Sequence, residues 1–475
     1  MSILSDKKHV HCIGIGGIGL SAVAEILLAK GFHVSGSDIK ESEITDKLIK
    51  NGAAIHLGHR AKNAVGADLV VYSAAVSAEN PELEMARKRG VPAVTRAEAL
   101  GALMAEHKNS VAISGAHGKT TTTSMISLIL KNAGLEPTIL VGGELSEIDG
   151  NVQVGRGEFF VTEACEYMDS FLQLSPKYAV ILNIDSDHLD YFKDIEHIAR
   201  SFDSFANLVP DDGAVVAYDA NPFVNSIIGE LKKRVVTFGF HDRCDYRAAD
   251  IVFTPEGMPG FSIFHGAARL CGVQLSVPGE HNIANALAAF ACCHDMGVAA
   301  GSIKDTLEAF EGTRRRFDVL GYTENSVCVV DDYAHHPAEI LATLKAAKKM
   351  PHRDLWCLFQ PHTYTRTVAL FKEFTEAFDL ADKLVMAEIY AAREKNIHKI
   401  SSKSIVDEIK KNHPGRDAWY FGSFDEIAAF VRDAAQPDDL VITMGAGDIY
   451  QVSEKILEMD HADKGEDVIR GRPIR

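Results

Sequence analysis

The chain has 475 residues, 46% of them hydrophobic and 24% charged, so it is long enough for two to four globular domains and too apolar to be disordered as a whole. Its 66 acidic and 49 basic residues give a formal net charge of −17, which argues against a nucleic-acid binder and a polybasic membrane-surface protein. Small anionic ligands are compatible with this charge, because a few backbone N–H groups and one lysine can hold a phosphate.

No long apolar stretch precedes the first glycine-rich turn, so neither a secretory nor a transmembrane segment is expected. The eight cysteines form no C-x-x-C pattern, and several of them lie in apolar runs. We therefore expect free, mostly buried thiols and a reducing, cytoplasmic location.

Short β-rich runs alternate with helical periods along most of the chain, which is typical of α/β domains with mainly parallel sheets. Three segments each restart the pattern, which predicts domains at residues 1–108, 109–313 and 314–475, the first and third Rossmann-like. Residues 107–110 are expected to be a polar linker, and residues 245–277 an antiparallel insertion. VCVVDDYAHHP is expected to open the third domain, and the charged segment after Asp460 to be frayed.

The first glycine loop, GIGGIG at residues 14–19, follows a predicted strand and precedes a predicted helix. Asp38 ends the next strand, as in the dinucleotide fingerprint, so the local pattern alone favours NAD. The underlying mechanism selects any diphosphate, because glycine lets the backbone approach phosphates at a helix N-terminus. A UDP-sugar would therefore fit the same loop equally well, and a tight turn without a ligand is a further alternative.

The second glycine loop, GAHGKTT at residues 115–121, also lies between a predicted strand and a predicted helix. It is a shortened P-loop, because Ile113 stands where the strict pattern has a glycine. Its backbone N–H groups, Lys119 and the Thr120 hydroxyl are suited to phosphates and Mg²⁺. The sequence therefore predicts ATP binding in the middle domain, and the first domain then needs no redox cofactor.

Strand ends in the middle domain carry candidate ligands for a metal ion. Glu163 ends FFVTE, and Asp187 and His188 follow VILNI, where loops of an α/β sheet form the ligand crevice. Cys165 lies between two acidic residues, but no paired histidine is indicated, so we expect no nucleophile there.

Polar side chains are also concentrated at predicted strand ends of the third domain. Residues 331–336 read DDYAHH, and Arg366, Arg393 and Lys395 are cations suited to a phosphate or carboxylate, with solvated loops as the alternative. Three arginines at residues 314–316 lie at the predicted joint between the second and third domains, from which one could reach ATP phosphates on domain closure.

Motifs in this order and spacing resemble the Mur ligases of bacterial cell-wall synthesis, and among them the group that adds L-alanine. The resemblance covers residues 10–450 and is carried by HVHCIGIGGIGLSA, YSAAV…NPE, GAHGKTTTT, TEACE, NIDSDHLDYF, GEHNIANALAA, EGTRRRFD, DDYAHHPAEI, FQPHTYTRT, YAAREKN and TMGAGDI. It implies a UDP-substrate domain, a central ATPase domain and an amino-acid domain. It also implies a requirement for Mg²⁺ and the joining of UDP-N-acetylmuramate to L-alanine through an acyl-phosphate intermediate. NAD has no part in the implied reaction.

Site residues implied by the resemblance fall into four sets. The ATP site is Gly115, Ala116, His117, Gly118, Lys119, Thr120, Thr121, Asn282 and Arg316. The UDP-substrate site is Gly14, Gly16, Gly17, Gly19, Asp38 and Ser73. The metal ligands are Thr120, Glu163 and His188, and the amino-acid site is Tyr333, His335 and Arg366. Lys119, Glu163, His188, His335 and Arg366 are the implied catalytic residues.

The sequence departs from the family pattern at three places. Thr363 stands where many relatives have arginine, and TEACEY replaces a more acidic stretch, which leaves the role of Glu166 open. HIARSFDSF offers no lysine for the carbamate of sister ligases, so none is predicted. Three alternatives are a related ligase that attaches a tripeptide, an NAD-dependent dehydrogenase and a nucleotide-binding regulator without catalysis.

Overall fold

Residues 3–73, 75–188 and 191–462 are described in a computed structural model. Their strands form three separate sheets of five, ten and six strands. Most strand pairs in each sheet are parallel, and helices connect them, so the predicted three-domain α/β class is confirmed.

The first unit has a five-stranded parallel sheet with the order β3-β2-β1-β4-β5. The elements are β1 (His9–Ile13), α1 (Ile18–Ala29), β2 (His33–Asp38), α2 (Glu43–Lys50), β3 (Ala54–Leu57), β4 (Leu69–Tyr72), α3 (Pro81–Arg89), β5 (Ala93–Thr95) and α4 (Arg96–Met104). The first glycine loop leaves β1 at the centre of the sheet. Its residues therefore lie at the carboxyl edge where the strand order reverses, which is the usual ligand crevice of such sheets.

The central unit has a ten-stranded sheet with the order β15-β14-β13-β12-β11-β10-β6-β9-β7-β8. Its elements are β6 (Asn109–Ser114), α5 (Lys119–Asn132), β7 (Thr138–Leu145), β8 (Gly150–Gln153), β9 (Phe159–Glu163), β10 (Tyr178–Ile181), α6 (Ile195–Asn207), β11 (Ala214–Tyr218), α7 (Pro222–Glu230), β12 (Val235–Gly239), β13 (Tyr246–Phe253), β14 (Pro259–His265), β15 (Ala268–Gln274), α8 (His281–Asp295) and α9 (Ala300–Ala309). The buried, alanine-rich α8 packs on α5, the helix that follows the second glycine loop. This packing holds the start of α5 against the sheet.

The third unit has a six-stranded sheet with the order β16-β17-β21-β18-β19-β20. Its elements are β16 (Asp318–Tyr322), β17 (Cys328–Asp332), α10 (Pro337–Ala347), β18 (Leu355–Phe359), α11 (Tyr364–Ala369), α12 (Phe371–Glu376), β19 (Lys383–Met386), α13 (Ser402–Asn412), β20 (Ala418–Tyr420), α14 (Phe424–Ala434), β21 (Leu440–Met444) and α15 (Tyr450–Ala462). Two apolar clusters pack on its opposite faces.

Several local predictions need correction. The third sheet opens with β16, an antiparallel edge strand, and not with the VCVVDDYAHHP strand, which is the second. The linker predicted at residues 107–110 is too long, because β6 begins at Asn109 and the buried Ser110 donates to the Ser175 carbonyl at 2.7 Å. The antiparallel insertion is present, but its first strand, β13, pairs in parallel with β12 and so extends the central sheet.

The C-terminal helix and the cysteines are two further features for which the sequence gives predictions. α15 runs to Ala462, and the rest of the segment predicted to fray lies outside the described residues. All eight cysteines are free thiols, as predicted. Over the described ranges, every helix is too short or too polar to cross a membrane.

Candidate active site

The first glycine loop is held by β2. Gly14 N donates to the Ser37 carbonyl at 2.8 Å, and Gly16 N donates to Asp38 Oδ2 at 2.9 Å. An ideal Cβ on Gly16 would lie 3.0 Å from the same carboxylate oxygen, so glycine permits this close approach. Asp38 thus supports the loop directly. The following helix, α1, has no side-chain cap, so its first N–H groups face outward for a ligand.

A cleft of about 440 Å³ separates this loop from the central unit. Gly17, Gly19 and Ser73 line it from the first unit, and Glu163 lines it from the central unit. Gly14, Gly16 and Asp38 contact one another and β2 and do not belong to its lining. Motif analysis did not single out Arg96, whose Nη1 would lie 3.0 Å from an ideal Cβ on Gly19 and which supplies a cation beside the loop.

The second glycine loop connects β6 to α5 in a backbone conformation that needs glycine. Gly115 and Gly118 have φ of +148° and +86°, and a Cβ on Gly118 would lie 2.5 Å from Asn285 Oδ1. His117 N donates to Asn183 Oδ1 at 2.9 Å, which fixes the loop against the end of β10. α5 also begins without a side-chain cap, so the loop and the helix start form an anion site.

Lys119 is buried in this loop and paired with Glu166. Its Nζ donates to the carbonyls of Gly115 and Ala116 and lies 3.1 Å from Glu166 Oε2. Burial alone would lower the pKa of Lys119, but the Glu166 carboxylate outweighs it and raises the pKa. Glu166, whose role the sequence left open, therefore keeps the lysine charged and directed into the loop.

The nucleotide-sized cavity lies between the central and third units and has a volume of about 330 Å³. Among its lining residues are His117, Gly118, Thr121, Asn282 and Arg316, all predicted for the ATP site. Its apolar wall is formed by Tyr218, Phe238, Val277 and Phe310. Such a cavity presents an apolar surface for a base and cations and N–H groups for phosphates.

Thr120 and Glu163 lie on either side of Gly142 and Gly143 in β7. A Cβ on Gly142 would lie 2.6 Å from both Glu163 carboxylate oxygens, and one on Gly143 would lie 3.2 Å from Thr120 Cγ2. Arg316 Nη2 donates to the Thr120 hydroxyl at 3.3 Å. Gly142 N also donates to Glu163 Oε1 at 2.6 Å, so the glycine pair lets both side chains approach β7 closely. The carboxylate and hydroxyl oxygens of these two residues are donors of the kind that fit a hard cation such as Mg²⁺.

His188 lies in a third cleft, of about 490 Å³, that it shares with Arg366 and Arg393. Arg366 Nη2 donates to Asp187 Oδ1 at 2.9 Å across the boundary between the central and third units. Burial alone would raise the pKa of Asp187, but Arg366 and His188 hold it well below its usual range. The structure thus brings His188 to Arg366, whereas Glu163 lines the cleft beside the first glycine loop.

Tyr333 and His335 follow β17, at the boundary between the central and third units. The Tyr333 ring lies 4.9 Å from the Arg316 guanidinium, and His335 Nδ1 hydrogen-bonds the Tyr333 carbonyl at 3.0 Å. Burial lowers the pKa of His335 to about 4, so its imidazole is neutral at pH 7. The two residues therefore lie between the nucleotide cavity and Arg366.

Two acidic residues that sequence reasoning did not select face the same boundary. His117 Nδ1 lies 3.0 Å from Glu339 Oε1 in α10, and His117 Nε2 lies 3.5 Å from Asp185 Oδ2. Glu339 is three residues after His336, which fits a helix-capping pattern, so its position in a helix start was predictable. Its contact with a residue 222 positions away carried no local signal.

These loops and clefts define a P-loop nucleotide-binding protein of three α/β units. Three family descriptions match it in order: "Mur ligase family, catalytic domain" over residues 9–108, "Mur ligase middle domain" over 113–293, and "Mur ligase, glutamate ligase domain" over 315–447. The chain belongs to the Mur ligase family.

Curated relatives share about half of the sequence over almost the whole length. The UDP-N-acetylmuramate–L-alanine ligases of Caldanaerobacter subterraneus and Acetivibrio thermocellus are each 50% identical, covering 96% of this chain and 98% of theirs. A crystal structure of UDP-N-acetylmuramate–alanine ligase from Thermotoga maritima has a TM-score of 0.81 at 31% identity, covering 96% of this chain and all of that one. A murein peptide ligase from Psychrobacter arcticus, at 24% identity and a TM-score of 0.72, shares the fold.

Proposed function

We infer that this protein joins L-alanine to the carboxylate of UDP-N-acetylmuramate at the expense of ATP, in peptidoglycan synthesis. The observation that carries this conclusion is the 50% identity to ligases of that name over 96% of the chain. A P-loop cavity between the central and third units, with one further cleft beside the first glycine loop and another beside Arg366, agrees with a reaction of three substrates.

The reaction needs two transfers because a carboxylate is a poor electrophile. A carboxylate oxygen of the sugar first attacks the γ-phosphorus, the bond to the β-phosphate oxygen breaks, and ADP leaves. The alanine amine then attacks the acyl carbon, loses a proton and expels inorganic phosphate, leaving an amide. Lys119 and Arg316, on the loop and in the cavity, would offset the charge that develops on the transferred phosphoryl group.

The first glycine loop is proposed to hold the diphosphate of the UDP-sugar. Gly17, Gly19 and Ser73 line the cleft, and Gly14, Gly16 and Asp38 set the backbone that presents the start of α1. The cleft continues to Glu163, so a sugar bound there points its carboxylate toward the second glycine loop.

Mg²⁺ is proposed at Thr120 and Glu163, because these two oxygen-bearing side chains both lie against the neighbouring glycines of β7. The ion would offset phosphate charge and orient the transferred group. His188 is a proposed ligand for a second ion, in the cleft that it shares with Asp187 and Arg366. Oxygen donors suit Mg²⁺ better than an imidazole, which makes Glu163 the more important of the two residues.

The amino-acid site is proposed at Tyr333, His335 and Arg366. The Arg366 guanidinium is paired with Asp187 on one side and lies 3.2 Å from His362 Nδ1 on the other, which fixes its plane. An arginine held in this way can bind the alanine carboxylate, to which its remaining N–H groups would donate.

The proposed domains are residues 1–108 for the UDP-substrate, 109–313 for ATP and 314–475 for the amino acid.

A cytoplasmic location is proposed from the eight free thiols and the use of ATP.

The deciding experiment measures phosphate release with ATP, Mg²⁺ and UDP-N-acetylmuramate against a panel of L-alanine, glycine, L-serine and the cell-wall tripeptide. We expect L-alanine to give the highest kcat/KM, with glycine and serine reduced by about 10–200-fold if one methyl-sized pocket discriminates. Turnover with the tripeptide but not with alanine would instead identify the related recycling ligase.

A further inference from the structure

His117 holds an unusual position for a residue of a phosphate-binding loop. Its ring lies between two carboxylates from different units, with Nδ1 3.0 Å from Glu339 Oε1 of the third unit and Nε2 3.5 Å from Asp185 Oδ2 of the central unit. The His117 and Glu339 side chains are 21% and 14% exposed, so solvent screens this pair only in part.

The two carboxylates make His117 a cation. Burial alone would lower the pKa of His117, but Asp185 and Glu339 outweigh it and raise the pKa to about 9. Burial alone would raise the pKa of Glu339, but the neighbouring His335 and the bond to His117 hold it well below its usual range. At neutral pH the contact is therefore an ion pair, which is stronger than a hydrogen bond between neutral groups.

Glu339 uses its second oxygen to hold the loop that carries Tyr333 and His335. Oε2 accepts from His335 N at 3.0 Å and from His336 N at 3.3 Å, at the start of α10. One carboxylate thus joins the phosphate-binding loop to the proposed amino-acid loop. A displacement of either loop would be felt by the other through this single side chain.

A metal ion is a competing explanation, since ligand atoms of His117, Asp185 and His336 lie within 4.8 Å of one another. Both nitrogens of the His336 ring are used, since Nδ1 accepts from Ala338 N at 3.3 Å and Nε2 therefore carries the proton and donates to the Ser186 carbonyl at 3.1 Å. His117 is hydrogen-bonded through Nδ1 to Glu339, while its Nε2 faces Asp185 Oδ2 at 3.5 Å without a hydrogen bond. As an imidazolium, His117 carries a proton on both nitrogens and has no lone pair for a metal.

We propose that the His117–Glu339 ion pair couples nucleotide binding in the central unit to the placement of the alanine-binding loop in the third unit. His117 and Glu339 act here as positioning residues, through the P-loop backbone and through the backbone of residues 335 and 336. This inference rests on the proposed function, because its readout is the alanine dependence of the reaction. By linkage, a change at one side must alter binding at the other.

The test is a double-mutant cycle with His117→Gln, Glu339→Gln and the double variant. The KM values for ATP and L-alanine and kcat are measured, and thermal unfolding checks that each variant is folded. Arg234→Gln is the matched control, because it removes the 2.7 Å ion pair with Asp295 on the surface of the same central unit. If Glu339→Gln does not yield folded protein, Glu339→Asp keeps the charge and shortens the reach by one methylene.

We expect His117→Gln to raise the KM for L-alanine about 5–10-fold, although the residue belongs to the ATP loop. A change of this size lies at the lower end of typical couplings between two sites. The alanine KM of the double variant should exceed that of the more impaired single variant by no more than about twofold, since both substitutions remove the same interaction. The coupling is refuted if His117→Gln leaves the alanine KM unchanged or if the two effects multiply. Absence of alanine-dependent phosphate release in the wild type would instead refute the proposed function itself.

Discussion

The two glycine loops have the same backbone plan and different charge. In each, a strand leads through glycines into a helix without a side-chain cap. The first loop has the Asp38 carboxylate on Gly16 N, and Arg96 is a cation beside it. The second contains Lys119 and His117, with Arg316 beside them. The backbone pattern predicts a phosphate at both loops, and the side chains decide whether it is only held or also transferred.

The largest test of this comparison is Lys119→Ala. We expect the rate of phosphate release to fall about 100-fold or more, because the loop loses the cation proposed to offset charge on the transferred group. A loop lysine would ordinarily add little stability, but this one is the partner of a Glu166 side chain that is 3% exposed. Leaving that carboxylate buried and unpaired costs about 3–5 kcal/mol, which thermal unfolding will register as a lower Tm.

The companion variant Lys119→Ala/Glu166→Gln separates the two effects. Removing the orphaned charge should restore most of the Tm while the rate stays low. Near-normal turnover of either variant would mean that the second loop holds its phosphate without Lys119 and would remove the contrast between the loops.

His188→Ala tests how far the second loop's metal chemistry extends toward the third unit. We expect the Mg²⁺ dependence to shift about tenfold to higher concentration, with little change in the alanine KM, if the imidazole is a metal ligand. Mg²⁺ is titrated at saturating ATP and UDP-N-acetylmuramate. His413→Ala, on the exposed end of α13, is the control. An unchanged metal curve with a raised alanine KM would assign His188 to the amino-acid site, beside Arg366.

Ligand-induced stabilisation tests the first loop. UDP-N-acetylmuramate at a hundredfold excess over its Kd should stabilise the protein by about 2.7 kcal/mol, and NAD(H) by nothing measurable. Differential scanning fluorimetry and a fluorescence titration with NADH report the two results. Saturable binding of NADH in the micromolar range would mean that the GIGGIG loop selects a dinucleotide after all.

The smallest expected effect concerns the support of the first loop. Glu82 is fully buried and accepts from the Ser37 hydroxyl and from Asn63, both at 2.6 Å, while the Ser37 carbonyl accepts from Gly14 N. Glu82→Gln should lower the free energy of unfolding by about 1–2 kcal/mol at pH 7, because hydrogen bonds to a charged acceptor are replaced by neutral ones.

That difference should depend on pH in one direction. Burial alone would raise the pKa of Glu82, but the hydrogen bonds around it lower the pKa to about 2. A lowered folded-state pKa contributes stability above the unfolded value of about 4.5, and this contribution is lost as the pH falls toward 2. Urea unfolding of both proteins between pH 7 and pH 3 should therefore show converging stabilities; a constant gap would indicate a packing defect.

The sequence predicted the features that depend on local pattern. Strand–loop–helix order placed both glycine loops, and strand ends placed Glu163 and Arg366 at the carboxyl edges of their sheets. It missed β16, a short edge strand with three exposed residues and two that are only partly buried, because edge strands lack the apolar run of a central one. The pattern therefore predicted fold class better than sheet order.

Contacts between residues far apart in the chain were not predictable in the same way. Lys119 contacts Glu166, 47 residues away in the same unit, and Arg366 contacts Asp187, 179 residues away in another unit. Neither spacing has a period that a strand or helix would impose, so only tertiary packing decides such pairs. The local pattern alone favoured NAD at the first loop, whereas the family resemblance favours a UDP-sugar there.

The strand order of the third sheet also constrains the order of events during synthesis. β21, the last strand, lies between β17 and β18, so residues 440–444 must leave the ribosome before the two halves of that sheet join. Tyr333 and His335 follow β17, while Arg366 follows β18, on the other side of this gap. The first two units can form their sheets while the chain is still growing. The amino-acid side of the proposed site is consequently completed last, and a nascent chain stopped before residue 440 would carry Tyr333, His335 and Arg366 without the strand that brings them together.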